Sequence, residues 1–336
     1  MLYNVLGRTG FNVSRIGFGG IPIQHVEQDN VNSIMAKAID LGINFIDTAR
    51  GYTISEELLG NALTDKRERV YIATKSMARG KNDMMSDVEL SLKNFKTDYI
   101  DLYQLHNIAT MEDLNKVISG SGALETLYKS QKEGFVRKIG ITSHKLPILE
   151  EALKLNIFDT IQFPFSAVER QAVDIFKKAV EQNVGTIAMK PMAGGALRDG
   201  RKALKYILES PYLNVAIPGM DCIEQVVENA EAADEIKLTE AERQEIEKVA
   251  KELGNTFCRR CGYCMPCSVE MDIPMMFIME SYFTRYDLKD WSVSRYSSFD
   301  VKAEDCIKCG ICETRCPYEL PIRDMLDNVA KVFKQE

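Results

Sequence analysis

The chain has 336 residues, enough for one domain of about 250 residues with a small second one. Its 45% hydrophobic and 27% charged residues are ordinary for a soluble globular protein, and a net charge of −7 lacks the basic excess of a nucleic-acid surface. No run reaches the roughly 18 apolar residues of a membrane span, and Met1 to Arg15 carries charges where a secretion signal would be apolar. A cytoplasmic protein with no nucleic-acid partner and no membrane span is expected.

In chain order, Gly7 to Gly10 reads as the turn of a hairpin. From Arg15 to about Ala233, short apolar runs alternate with amphipathic stretches, the pattern of βα units around a parallel sheet. The runs predict strands at Arg15–Gly19, Asn44–Thr48, Val70–Lys75, Tyr99–His106, Val136–Ser143, Thr160–Phe165, Gly185–Pro191 and Val215–Pro218. A helix follows each, for example Asp29–Leu41, Asp83–Phe95, Ala172–Gln182 and Cys222–Ala233. Eight βα units in roughly 230 residues predict an α/β fold of the (β/α)8 TIM-barrel type, its bottom closed by the hairpin.

One more helix is expected from Thr239, with Glu242 completing a capping box, to a stop at Gly254. That puts the barrel domain at residues 1–254 and a small second domain at 255–336. In the second, the Met- and aromatic-rich stretch Met271 to Trp291 is expected to pack between cysteine runs and barrel, with Met275, Met276 and Met279 as core.

Eight of the nine cysteines lie in this C-terminal part: Cys258, Cys261, Cys264 and Cys267, then Cys306, Cys309, Cys312 and Cys316 before Pro317. The second set reads C-x2-C-x2-C-x3-C-P, and the first is one residue shorter before its fourth thiol. The pattern resembles the runs by which bacterial ferredoxins hold [4Fe-4S] clusters. That resemblance implies two clusters with crossed ligation: Cys258, Cys261 and Cys264 with Cys316, and Cys306, Cys309 and Cys312 with Cys267. Two alternatives use the same residues. Structural zinc would use pairs of cysteines rather than triplets with a distant fourth, and disulfides are poorly served by adjacent CxxC steps. Cys222 stands apart as a free thiol.

Catalytic residues of TIM barrels gather at the C-terminal ends of strands. Here the second strand ends in Asp47, with Tyr52 in its loop, the third in Lys75 and the fourth in His106. A lysine ammonium beside a tyrosine favours the phenolate and lowers its pKa from about 10 toward the working pH. Asp47 can hold Lys75, and His106 can hydrogen-bond a substrate oxygen or relay a proton. Singly, these residues could be an ion pair, a loop tyrosine and a core histidine.

Gly42-Ile43-Asn44-Phe45-Ile46-Asp47-Thr48-Ala49, then Tyr52 and Ser55-Glu56-Glu57-Leu58-Leu59-Gly60, resemble the aldo-keto reductase signature D-T-A-x-x-Y-G-x-S-E-x-x-L-G, with Thr53 where glycine is usual. The family's tetrad maps onto Asp47, Tyr52, Lys75 and His106. The resemblance covers about the first 235 residues, and a subgroup with a C-terminal ferredoxin-like module extends it over the whole chain.

The same resemblance implies a nicotinamide site. Ser143 and His144 stand where the family holds the carboxamide with Ser-Asn, and Gln162 is its third such residue. Met189 occupies a position where many members stack an aromatic ring. Lys190, Gly194 and Gly195 could take a pyrophosphate or a flavin phosphate. Gly219, Met220 and Gln225, with Glu228 and Asn229, align with the segment that grips the adenosine phosphate. NADPH-preferring members carry Lys, Ser and Arg at the first three, so NADH is favoured over NADPH. Asp221 and Glu224 read as a capping box, and His25, one of three histidines, as structural.

The leading expectation is therefore an oxidoreductase moving hydride between NAD(H) or NADP(H) and a small carbonyl or alcohol substrate, with Tyr52 as general acid and base. Hydride carries two electrons and a [4Fe-4S] centre passes one. The clusters then brace the fold, exchange electrons with a flavin at the barrel top, or feed single electrons to a substrate, and a redox protein partner is open. Two rival classes are an iron-sulfur electron-transfer protein and a non-catalytic accessory subunit.

Overall fold

The computed structural model of the protein describes residues 1–197, 199–254, 257–258, 264–284, 289–316 and 319–334; Cys261 and Pro317 lie outside them. The chain divides into two compact units. One comprises Met1–Met192 with Asp199–Arg243, the other Ala193–Arg198 with Gln244–Glu336.

The first unit opens with strands β1 (Tyr3–Val5) and β2 (Asn12–Ser14), paired antiparallel around a 3-10 turn at Gly7–Thr9. Gly10 ends that turn at φ +75°, a conformation open to glycine at little cost. Eight parallel strands follow: β3 (Phe18–Gly19), β4 (Phe45–Asp47), β5 (Tyr71–Ser76), β6 (Ile100–Leu105), β7 (Val136–Thr142), β8 (Thr160–Pro164), β9 (Gly185–Met189) and β10 (Val215–Ile217). Each pairs with its sequence neighbour. Parallel bridges Ile16↔Ala216 and Gly19↔Gly219 bring the first strand to the last and complete the predicted barrel. That seam explains why β3 is shorter than expected. A Cβ on Gly17 would lie 2.9 Å from the Phe45 carbonyl oxygen, and one on Gly19 2.7 Å from that of Pro218. The glycines permit the close approach and shorten the regular strand.

Alternation along the strands separates two apolar layers. Phe45, Ala73, Leu102, Ile187 and Val215 fill the lumen against Leu6, Phe11 and Val13 of the hairpin, which plugs the bottom as expected. Ile46, Ile72, Tyr103, Ile139 and Ile161 face outward into the larger core beneath the helices. The four helices cited from sequence occupy Gln28–Asp40, Lys81–Phe95, Val173–Glu181 and Ile223–Ala232. The last starts one residue later than expected, with Cys222 at its N-cap. The side chain of Gln225, rather than Glu224, accepts from the backbone N–H of Asp221 at 2.9 Å. The Asp221–Glu224 capping box is therefore replaced by a bond one step along the helix.

The helix Glu240–Gly254 is capped as expected. Glu242 N–H donates to Thr239 Oγ1 at 3.2 Å, and Thr239 N–H to Glu242 Oε2 at 2.8 Å. The division between the units falls within this helix. In the second unit, Met271, Met276, Phe277 and Met279 pack with Leu326, Val329 and the thiols of Cys264 and Cys312. Met275 is half-buried against the same core, and Trp291 stays 43% exposed, edge-on to Tyr282. Among the described residues no helix is long and apolar enough to cross a membrane.

Candidate active site

The polar residues of the lumen sit one step beyond its apolar layer. Phe45 leads to Asp47, Ala73 to Lys75, Leu102 to Gln104 and Thr160 to Gln162, each two residues on and so on the same strand face. This places Asp47, Lys75 and Gln104 at or next to the C-terminal ends of β4, β5 and β6, the catalytic face of such barrels, with Gln162 midway along β8.

Lys75 is 1% and Asp47 3% exposed. The Lys75 Nζ donates to Asp47 Oδ1 at 2.6 Å and to the Thr48 carbonyl at 2.6 Å. Burial holds the Asp47 carboxyl above its ordinary value, against the pull of Lys75. Burial also works against the Lys75 charge, but Asp47, Tyr52 and Glu56 outweigh it and keep the ammonium protonated above the usual lysine range. The ammonium lies 5.2 Å from the centre of the Tyr52 ring. That ring meets His106 edge-on, centroids 6.0 Å apart at 87°. All four residues of the expected tetrad are thus brought together. His106 is pulled down to about 3, first by burial and then by Lys75, Arg79 and Lys190, so its imidazole is neutral at ordinary pH.

The loop carrying Tyr52 is tied down from both sides. Arg50 N–H donates to the Lys75 carbonyl at 2.9 Å, and Arg50 Nη1 donates to Glu56 Oε2 at 2.6 Å. Fully buried Glu56 also accepts from Thr74 and Ser91 at 2.7 and 2.8 Å. Thr53, where glycine is usual, takes φ +44°, a left-handed conformation that accounts for the usual glycine.

Sequence reasoning missed Gln104. It is fully buried, and its Nε2 donates to Asp47 Oδ2 at 3.3 Å. The available signal was one amide, two residues before His106, in a strand whose other polar residue is Asp101.

The expected cofactor positions divide. Gln162 is 1% exposed and gives Asp47 a side-chain hydrogen bond, and its Oε1 is buried without a partner. The Ser143 hydroxyl is already engaged, donating to the Ile108 carbonyl at 2.6 Å and accepting from Lys145 N–H at 3.0 Å. His144 follows it, half-buried. Met189 ends β9 half-buried, and Lys190 follows at φ +55°. Gly194 and Gly195 belong to a 3-10 turn, Ala193–Gly195, that groups with the second unit. Gly219 is exposed, whereas Met220 is fully buried in the core and offers its backbone alone. Gln225 caps Asp221 as described, while Glu228 is exposed and Asn229 buried on the same helix. His25 is exposed at the end of the turn Pro22–His25.

In the second unit Cys264, Cys267, Cys306, Cys309 and Cys312 line one cavity. Lys308 at φ +56° and Gly310 at φ +77° wind the loop that turns the later thiols inward. Arg323 fixes the loop's end, its Nε donating to Glu313 Oε2 at 2.9 Å. The Cys309 thiol is held below its usual value by the Ile311 N–H first and Ser268 second, whereas burial raises that of Cys312. Among the described residues no three Cys, His, Asp or Glu side chains converge on a single-ion site. A four-iron cluster spreads its thiolates over its own atoms and needs them to line a common cavity. Cys258 and Cys316, both half-buried, lie outside that lining.

The barrel and the cysteine-rich C-terminal unit agree with comparison to known proteins. The chain belongs to the aldo/keto reductase family, whose model matches residues 15–202, and residues 257–321 match a 4Fe-4S dicluster domain. It is an oxidoreductase of that family with a C-terminal dicluster domain. The uncharacterized oxidoreductase YqkF of Bacillus subtilis is 27% identical over 300 residues, 74% of this chain and 96% of that protein. Among solved structures, the holo form of aldo-keto reductase AKR11C1 from Bacillus halodurans superposes with a TM-score of 0.66 at 28% identity, covering 74% of this chain and 96% of that one. An aldo-keto reductase from Klebsiella pneumoniae in complex with NADPH gives 0.65 at 25% identity, covering 74% and 96%.

Proposed function

We propose that the protein interconverts a small-molecule carbonyl and its alcohol, with Tyr52 delivering or removing the proton. The observation that carries this reading is the buried Lys75 ammonium, fixed by Asp47 at 2.6 Å and facing the Tyr52 ring at 5.2 Å. Its charge favours the phenolate, so Tyr52 can protonate a developing alkoxide and recover the proton from solvent. Neutral His106 hydrogen-bonds the substrate oxygen and orients it toward the phenol. Asp47 keeps the ammonium in place, and the Arg50–Glu56 pair holds the loop from which Tyr52 projects.

A nicotinamide supplies or accepts the hydride when bound. The residues fit it: the partnerless Oε1 of Gln162 matches a carboxamide N–H, and His144 adds a second polar group. The Klebsiella neighbour holds NADPH, but Gly219, Met220 and Gln225 place no cation where a 2′-phosphate needs one. NADH is therefore the proposed cofactor.

In the C-terminal unit, Cys267, Cys306, Cys309 and Cys312 line one cavity together with Cys264, which supports a [4Fe-4S] cluster there, and the ferredoxin-like spacing gives it the first four. Cys258, Cys261, Cys264 and Cys316 are assigned to the second.

The test is Tyr52→Phe in holoenzyme. Carbonyl reduction should fall by roughly 10²–10⁴-fold while NADH binding and thermal stability stay within error. Full activity would end the tetrad reading, and a higher kcat/KM with NADPH than with NADH would reverse the cofactor assignment.

A further inference from the structure

Among the described residues Asp47 is the one charged group that hydrogen-bonds Lys75, and its two oxygens are treated differently. Oδ1 faces the Lys75 ammonium. Oδ2 accepts from Gln104 Nε2 at 3.3 Å, a residue outside the tetrad. Lys75 and Gln104 are register partners on β5 and β6, so both side chains enter the lumen at one level. Gln104 in turn is partnered across β6 and β7 by Gly140. A Cβ on Gly140 would stand 3.0 Å from Gln104 Cγ, so the glycine supplies the room in which the glutamine lies. Gln104 is fully buried, and turning its amide N–H to Asp47 leaves its own Oε1 buried with no partner. A buried amide left half satisfied is costly in a packed lumen where an apolar side chain would fit, which argues for a use.

We propose that Gln104 is a positioning residue of the hydride-transfer site: by holding Oδ2 of Asp47 it keeps the carboxylate ionised and aligned on Lys75, and thereby sets the pH at which Tyr52 exchanges its proton. This rests on the tetrad reading above. Burial drives Asp47 toward its protonated form, and Lys75, Gln104 and Gln162 oppose it; Gln104→Leu leaves the Gln162 bond in place and removes one of the two amide donors. Without that donor, Asp47 takes a larger share of the Lys75 proton and less positive charge reaches the Tyr52 ring. The phenolate is then less favoured, and the tyrosine titrates at higher pH.

The test uses holoenzyme carrying Gln104→Leu, which fills the lumen but removes the donor. In alcohol oxidation, where rate rises as the phenolate forms, the rising limb should move up by about half a pH unit to one unit, kcat should fall several-fold and KM for NAD+ should hold. The difference absorbance of tyrosinate, with Tyr52→Phe as blank, should move by the same amount and reads the shift even in an inactive variant. Gln104→Glu restores a donor only while its carboxyl is protonated, so it should regain activity at acid pH and lose it as pH rises. Should Gln104→Leu not fold, Gln104→Asn, one methylene too short to reach Asp47, carries the same expectation. An unshifted pH limb and unshifted tyrosinate titration, or a loss confined to KM for NAD+, would overturn the proposal. Tyr52→Phe separates the two readings. Activity retained there defeats the tetrad, whereas an inactive Tyr52→Phe beside an unshifted Gln104→Leu defeats the role of Gln104 alone.

Discussion

The Lys75 ammonium faces the Tyr52 ring at 5.2 Å while its proton side is spent on Asp47 Oδ1 and the Thr48 carbonyl, each at 2.6 Å. Lys75 therefore acts on Tyr52 through its charge, and it is too firmly held to serve as a proton carrier. Lys75→Met should raise the apparent pKa of the remaining activity by about one to three units and lower kcat on the order of 10²-fold or more. It also leaves Asp47 buried without its cation. The raised Asp47 pKa then makes folding favour the protonated acid. The variant should be most stable below the ordinary carboxylate pKa of about 4 and lose stability as pH rises. Chemical denaturation at pH 4 and pH 8 measures this, and equal losses at both would contradict it.

His106 offers a pH dependence of the opposite sign. Its folded value near 3 lies below the ordinary histidine value of 6.5, so the unfolded chain binds the extra proton first. The associated stability is complete above pH 6.5 and drains away as pH falls toward 3, by at most about 1.4 kcal/mol per pH unit. The His106→Asn variant should lack that slope. For the same reason activity should show no limb near pH 6.5, because the imidazole stays neutral across pH 5 to 8. A limb there that vanishes in His106→Asn would mean that the histidine is protonated in the working enzyme.

The barrel was legible because its strands are buried on both faces and read as short apolar runs, while each helix repeats at 3.6 residues. The same property hid Gln104. In Ile100–Leu105 every residue is buried, so sequence does not separate the lumen-facing side from the helix-facing side. The tetrad was legible because each member is a polar residue at or just beyond a strand end. Ser143 and Met220 show the limit of positional matching: the position was found, but the Ser143 hydroxyl is spent on Ile108 and the Met220 side chain on the core. The cysteines needed no fold at all, since their spacing is set by the cluster.

Crossed ligation predicts that two single substitutions remove different clusters. Anaerobically purified protein should contain about eight iron and eight sulfide per chain. Cys309→Ser removes a thiol from the cavity shared by Cys267, Cys306 and Cys312, and Cys316→Ser removes one from the other set. Each should lower iron by about four per chain, with distinct paramagnetic spectra for the surviving cluster. Stoichiometric zinc without acid-labile sulfide would restore the zinc alternative, and identical spectra from both variants would exclude the crossed scheme.

The last prediction concerns whether the clusters carry electrons to the barrel. Cys309 is exposed, and Ile307 and Ile311 beside it are 63% and 41% exposed. An external donor can therefore approach that cluster through an apolar collar of the kind redox partners use. Reduction of a carbonyl needs two electrons and two protons, so a wired enzyme must collect two single-electron deliveries, with one proton from Tyr52 and the second drawn from solvent. Dithionite should then produce a paramagnetic reduced cluster, a low-potential donor should sustain turnover without NADH, and Cys264→Ser should abolish that turnover while sparing the NADH-driven one. Anaerobic titration with NADH, then dithionite, followed by electron paramagnetic resonance separates the cases. Clusters that stay silent to dithionite, in a protein with full NADH-dependent turnover, would leave them a bracing role alone.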